Sequence, residues 1–257
     1  MKLKALCIFI YRLNTILKRM KLKIILFLFI MIGTVALIGA VQYSGDTFLV
    51  YKVDLKKQNL EMFWKDAKGN RFGSIEKLRS WVEKKKLKLE FAMNAGMYKP
   101  DNSPQGLYIE NEKILSPLDT AKALGNFYLK PNGVFYISTN KIANICTTEK
   151  FRSDSKIKYA TQSGPMLIID GKIHPDFKEE SKNVNIRNGV GILPEGKVVF
   201  VLSKKDVNFY DFAYYFKSLG CKNALYLDGF VSRAYIPSEK WIQTDGNFGA
   251  LFAVTRK

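Results

Sequence analysis

Short apolar runs of strand length fill residues 46–257, and each stops abruptly at Gly, Asn, Asp or Pro before the next begins. That spacing leaves room for hairpins and little for the crossover helices that parallel strands require. Pro131-Asn132-Gly133, Asp170-Gly171 and Pro194-Glu195-Gly196 each stand between two alternating runs and predict hairpins, and Glu110-Asn111 predicts another. The runs 46–54, 60–66, 87–94, 223–228 and 250–255 predict further strands. Helical spacing is clear in two places. Ile75, Leu78, Trp81 and Val82 carry it in 74–86; Phe209, Phe212, Ala213, Phe216 and Leu219 carry it in 208–219. Asn208, with Asp211 three residues later, makes a capping-box arrangement, and Gly220 supplies the stop. The expected class is α+β, with mixed or mostly antiparallel sheets and a few helices, preceded by one N-terminal hydrophobic helix. No linker divides 46–257.

The N-terminal segment is a different material. Residues 24–41 form an uncharged run of 18, just enough for a helix to span a bilayer. Residues 1–23 carry seven basic side chains and no acid, which predicts a cytoplasmic N-terminus and an exported C-terminal domain. Two readings stay open: an uncleaved inner-membrane anchor, or a signal-peptide core beginning near Met20 that is removed on secretion. The formal charge is +18, and the seven basic side chains of residues 1–23 leave +11 for the rest. A surplus of that size favours anionic partners such as phosphorylated glycans. The lysines are dispersed and no nucleic-acid-binding motif is present, so nucleic acid is not expected as a partner. Of the cysteines, Cys146 and Cys221 follow the apolar run, and an oxidising compartment would permit them to pair.

Four polar islands interrupt the strand-like runs: FAMNAGMY, ATQSGPMLIIDGKIHPDF, NVNIRNGVGIL and ALYLDGFVSRAY. Polar side chains at strand ends converge readily on one cleft, and neighbouring glycines permit close approach to a ligand. The candidates are Asn94, Gly96 and Tyr98; Gln162, Ser163 and Gly164; His174; Arg187 and Asn188; and Asp228, Gly229 and Ser232. One carboxylate, one guanidinium and several neutral hydrogen-bonders suit a sugar or sugar phosphate. Asp170 reads as turn chemistry, and Asp176 is a further carboxylate in the loop after His174. No GxSxG, HExxH, P-loop or GxGxxG motif occurs. The sequence requires no cofactor and has no metal-ligand cluster, while leaving room for a divalent cation beside a phosphate.

Taken in order, Asn-Ala-Gly-Met, Gln-Ser-Gly-Pro, Ile-Arg-Asn-Gly-Val-Gly and Leu-Asp-Gly-x-x-Ser resemble the phosphodiester glycosidase family, in its bacterial exported branch, over roughly residues 90–257. The chain departs from the animal-type Asp-Gly-Gly-Gly-Ser motif, having Asp228-Gly229-Phe230-Val231-Ser232. The resemblance implies hydrolysis between an anomeric carbon and a phosphate oxygen. Asp228 would then stabilise or trap oxocarbenium charge. Arg187 would clamp the phosphate with its planar fork. His174 would move a proton. Asn94, Gln162 and the Gln-Ser-Gly backbone would hold sugar hydroxyls, and Tyr98 would stack on the ring. The rival expectation is a non-catalytic glycan-binding module of the envelope, its reactive position closed by Phe230 and Val231.

Overall fold

The computed structural model describes residues 47–228 and 231–257, together with Met20, Lys23, Ile24 and Phe27. The expected membrane or signal segment, 24–41, therefore lies outside the described residues except for Ile24 and Phe27. Among the described residues no helix is long and apolar enough to cross a membrane.

Strands follow one another with few interruptions. β1 (Phe48–Val53) and β2 (Asn59–Phe63) precede helix α1 (Ile75–Lys84), which leads to β3 (Lys88–Asn94). β4 (Tyr108–Glu110) and β5 (Lys113–Ser116) form a hairpin, as do β6 (Gly133–Ser138) and β7 (Ala143–Thr147). β8 (Ile157–Ser163) is followed by the hairpin of β9 (Met166–Ile169) and β10 (Lys172–Ile173). β11 (Asn188–Ile192) and β12 (Val198–Ser203) pair next, before helix α2 (Phe209–Ser218). β13 (Ala224–Asp228), β14 (Ala234–Ile236), β15 (Trp241–Ile242) and β16 (Leu251–Arg256) complete the chain. The strands build three sheets, ordered β1-β12-β11-β13-β9-β10, β15-β14-β3-β16-β2 and β5-β4-β8-β6-β7. Every pairing within them is antiparallel.

The inner faces of all three sheets share one core. Phe200 of the first sheet, Phe91 and Phe252 of the second and Phe135 of the third are all buried. Their ring centroids lie 4.8 to 5.4 Å apart in successive pairs. The outer faces are covered separately. α1 buries Ile75, Leu78 and Val82 against the second sheet, and α2 buries Phe212, Ala213 and Phe216 against the first. Gly189 and Gly191 make the second contact possible. A Cβ at Gly191 would lie 2.8 Å from the Phe216 ring, and one at Gly189 would lie 3.2 Å from the Phe212 ring. Residues 47–257 form one compact unit.

Three of the four expected hairpins occur where the turn residues placed them. In the β9–β10 turn Asp170 and Gly171 both take positive φ, 48° and 82°. The exception is the run before Pro131, expected as a strand. Residues Asn126–Tyr128 instead form a 3₁₀ turn. Pro131 has no N–H to continue a ladder, and the Asn132 amide donates to the Phe127 carbonyl at 2.9 Å, folding the run back. Pro131-Asn132-Gly133 thus opens β6, which pairs with β7 through the turn at 139–142.

Asn208 caps α2 by accepting from the Asp211 N–H at 2.8 Å, and its amide also donates to the Glu179 carbonyl at 2.8 Å. Asn208→Ala is expected to cost about 1 kcal/mol, read as a lowered urea midpoint with an unchanged m-value.

Candidate active site

Two sheets meet at Asn94. It is the last residue of β3 and is fully buried. Opposite it, Asn188 opens β11 and pairs with Asp228 at the end of β13. The register then jumps, so that Gly189 faces Tyr226 and Leu227 is the extra residue of a bulge. The Asn188 Oδ1 accepts from the Asp228 backbone N–H at 2.9 Å, and its Nδ2 donates to the Asn94 Oδ1. That oxygen also accepts from the Arg233 backbone N–H at 3.2 Å.

The two backbone donors settle both amide orientations. A peptide N–H only donates, so each contacted side-chain atom is an oxygen. The Asn94 Nδ2 is therefore left over. It is buried and has no hydrogen-bond partner among the described residues. Leaving such a donor unmet costs roughly 1–3 kcal/mol. Among the described residues three other buried polar atoms share this state, Thr47 Oγ1, Arg79 Nε and Trp241 Nε1, but of these four the Asn94 donor belongs to the network that positions Asp228.

Asp228 itself is 8% exposed. Ser232 donates its hydroxyl to the Asp228 carbonyl at 2.6 Å. Gly229 and Phe230, between them, lie outside the described residues. Val231 packs into the core beneath α1. Half-buried Tyr98 lies close enough to be influenced by this carboxylate. Burial pushes its phenol pKa up, the Asp228 charge adds to the rise, and the Arg71 guanidinium opposes it.

The Gln-Ser-Gly island is built into the scaffold. The Gln162 Oε1 accepts from the Leu107 and Asp119 N–H groups at 3.0 and 2.9 Å. Its Nε2 donates to the Asp119 carbonyl at 2.6 Å and to the Thr148 hydroxyl at 3.2 Å. All four of the amide's hydrogen bonds are thereby spent, so the expected sugar contact is corrected to a loop clamp. Ser163 donates to the Leu227 carbonyl at 2.8 Å and so ties β8 to β13. Gly96, at φ 106°, lets its loop press on Thr161, where a Cβ would approach Oγ1 to 2.8 Å. Gly164 fits against Asn132, leaving 2.6 Å for a Cβ.

Arg187 and His174 are also corrected. Arg187 is 1% exposed. Its Nε donates to the Val207 carbonyl at 2.8 Å and its Nη2 to the Asn183 carbonyl at 2.7 Å. The guanidinium lies 3.6 Å above the Phe209 ring. Desolvation pulls its pKa down. A phosphate clamp needs an open fork, and this one is closed in the core. The His174 Nδ1 accepts from the Asp176 N–H at 3.2 Å, so Nε2 carries the proton that meets the Lys130 carbonyl at 3.1 Å. The ring stacks on Phe177, which stacks on Phe209. Both nitrogens are committed, and burial lowers the pKa. Asp176 is exposed beside it. Cys146 and Cys221 are free thiols. Among the described residues no three His, Cys, Asp or Glu side chains gather to hold a metal.

Two basic residues join these candidates: Arg233, whose N–H meets Asn94, and Arg71, whose charge acts on Tyr98. Arg233 lies within the ALYLDGFVSRAY island, directly after Ser232, which was a usable signal. Arg71 follows a turn and carried none.

The match to the phosphodiester glycosidase family covers residues 88–252, and the chain belongs to that family. It is 38% identical over 191 residues to the uncharacterized protein YigE of Escherichia coli K12, covering 74% of each chain. Among solved structures it is similar to the catalytic domain of zebrafish N-acetylglucosamine-1-phosphodiester α-N-acetylglucosaminidase, auto-inhibited by its pro-peptide. The TM-score there is 0.55 at 14% identity, over 80% of this chain and 82% of that one. A hypothetical protein from Synechocystis is similar at TM-score 0.51 and 12% identity, over 82% of this chain and 59% of that one. At these identities the two structures establish a shared fold.

Arg187→Met should lower stability by about 2–4 kcal/mol, because it strands two carbonyls. Substrate KM should stay near native, whereas a phosphate clamp would raise it sharply. For His174 the folded pKa lies below the ordinary 6.5. Below pH 6.5 the unfolded chain takes up the proton first, so this group lowers stability as pH falls from 6.5 toward the folded pKa. Melting temperatures across pH 5–8 should fall more steeply on the acid side for the native protein than for His174→Gln.

Proposed function

We propose that this protein hydrolyses a glycosyl phosphodiester, cleaving between the anomeric carbon and the phosphate oxygen, with Asp228 as the working carboxylate. Family membership supports the reaction class. The observation that carries the site assignment is the unpartnered Asn94 Nδ2, a buried donor in the same network as Asp228. A substrate oxygen placed there recovers the lost hydrogen bond. Departure of the phosphate develops positive charge on the sugar, which the Asp228 carboxylate stabilises or traps. Phosphate leaves readily, so the lack of a free imidazole at His174 is no obstacle. Tyr98 supplies an aromatic face and a phenol whose pKa burial raises.

The proposal includes export. Residues 24–41 would anchor the chain in the inner membrane, with the domain in the periplasm or outside the cell acting on envelope or exopolysaccharide material. The +11 charge beyond the N-terminal flank suits such anionic polymers.

Purified full-length protein is tested against a panel of sugar-1-phosphodiesters, with sugar release as the readout. Asp228→Asn should lose at least ~10²-fold in kcat while remaining folded. An undiminished rate would remove Asp228 from the chemistry. Tight glycan binding without release by the native protein would replace hydrolysis with the binding-module reading.

A further inference from the structure

With Arg187 closed in the core, binding a phosphate would need another cation. Arg71 and Arg233 are both tied to one short stretch of chain. Arg233 meets the Asp245 carboxylate through Nε at 2.9 and 3.0 Å and gives Nη1 to the Ser232 carbonyl at 3.0 Å. Arg71 gives Nη1 to the Asn247 side chain at 3.0 Å and to the Phe248 carbonyl at 2.8 Å. Apart from Ser232, these anchors lie between Asp245 and Phe248, a stretch that spans at most about 11 Å. Tyr98 packs against its end, where a Cβ on Gly249 would come within 2.7 Å of the Tyr98 Cβ. The Arg233 N–H holds the very amide whose Nδ2 is unpartnered. Beyond these bonds Arg71 keeps Nε and Nη2, and Arg233 keeps Nη2. No carboxylate pairs with Arg71 among the described residues.

Resting on the glycosyl-phosphodiester reading, we infer that Arg71 and Arg233 together bind the phosphate group of the substrate, with Asp245 and Asn247 holding their forks in place. Anchored forks lose little freedom on binding an anion, and two of them match its oxygens better than a single point charge. The buried Asn94 donor, whose amide accepts from the Arg233 backbone N–H, then sits where phosphate gives way to sugar.

Inorganic phosphate is the probe, its binding to the full-length protein measured by calorimetry at low salt. Arg71→Gln and Arg233→Gln should each weaken binding about tenfold, and the double variant should show none. Asp228→Asn should bind phosphate at least as tightly as the native protein. A variant with lysine at both positions should bind with intermediate affinity, which separates lost recognition from lost folding. Equal binding by native and double-glutamine proteins, or binding by neither, overturns the pair, as does a loss confined to one single variant. Cleavage of phosphodiesters by the double variant at native kcat/KM also overturns it, while leaving the glycosidase reading intact. Phosphate binding that vanishes in the double variant, with no substrate cleaved by the native protein, upholds the anion site and removes the glycosidase reading.

Discussion

Four phenyl rings hold three sheets to a common point. Phe91, Phe135, Phe200 and Phe252 are each buried and each in contact with another of the set. Burying such a ring is worth roughly 1.5–3 kcal/mol, and each aromatic pair adds about 0.5–1.5. Their effect on the site is geometric. Phe91 lies three residues before Asn94 on β3, and Phe200 pairs with Val190 two residues after Asn188. Fixing the two rings 4.8 Å apart sets where the ends of β3 and β11 fall relative to each other. The Asn94–Asn188 hydrogen bond forms across that gap, between sheets that share no ladder.

The same arrangement explains what the sequence disclosed. Both helices were readable because each has one partner face, and the Asn208 cap was legible too, accepting from Asp211 as read. Three hairpins were readable because their turns demand particular residues. The 126–130 run was not, because its fate depends on Asn132 bonding back to Phe127, a contact that alternation does not encode. Short strands such as β14 and β15 exist through their neighbours in the second sheet rather than through any pattern of their own.

Within the polar islands, several side chains serve the scaffold rather than an open site. Gln162, Ser163 and Arg187 look like ligand-binding groups in a linear chain. Apart from the Asn183 carbonyl, four residues from Arg187, their backbone partners lie 20 to 64 positions away, which sequence spacing does not announce. Polar side chains buried among strand ends must satisfy loose peptide groups before they can serve a ligand. Arg233 shows the converse. Its carboxylate partner lies twelve residues on, and its importance comes from the strand register that brings its N–H to Asn94.

The network that positions Asp228 thus presents a buried amide where a charge would be expensive. A buried cation beside Asp228 would need full desolvation and a close partner, and removing either member would strand the other. The Asn94 amide costs far less when empty and still offers two N–H groups to an incoming oxygen. Placing the guanidiniums at Arg71 and Arg233 keeps their charge beside solvent, where the Arg233 side chain remains 35% exposed. On the proposed reading, charge would draw the anion in at the rim, and the neutral Asn94 donor would engage the part of the substrate that carries none. That division favours a ligand with one anionic and one hydroxylated end, which is the chemical outline of a sugar joined to phosphate.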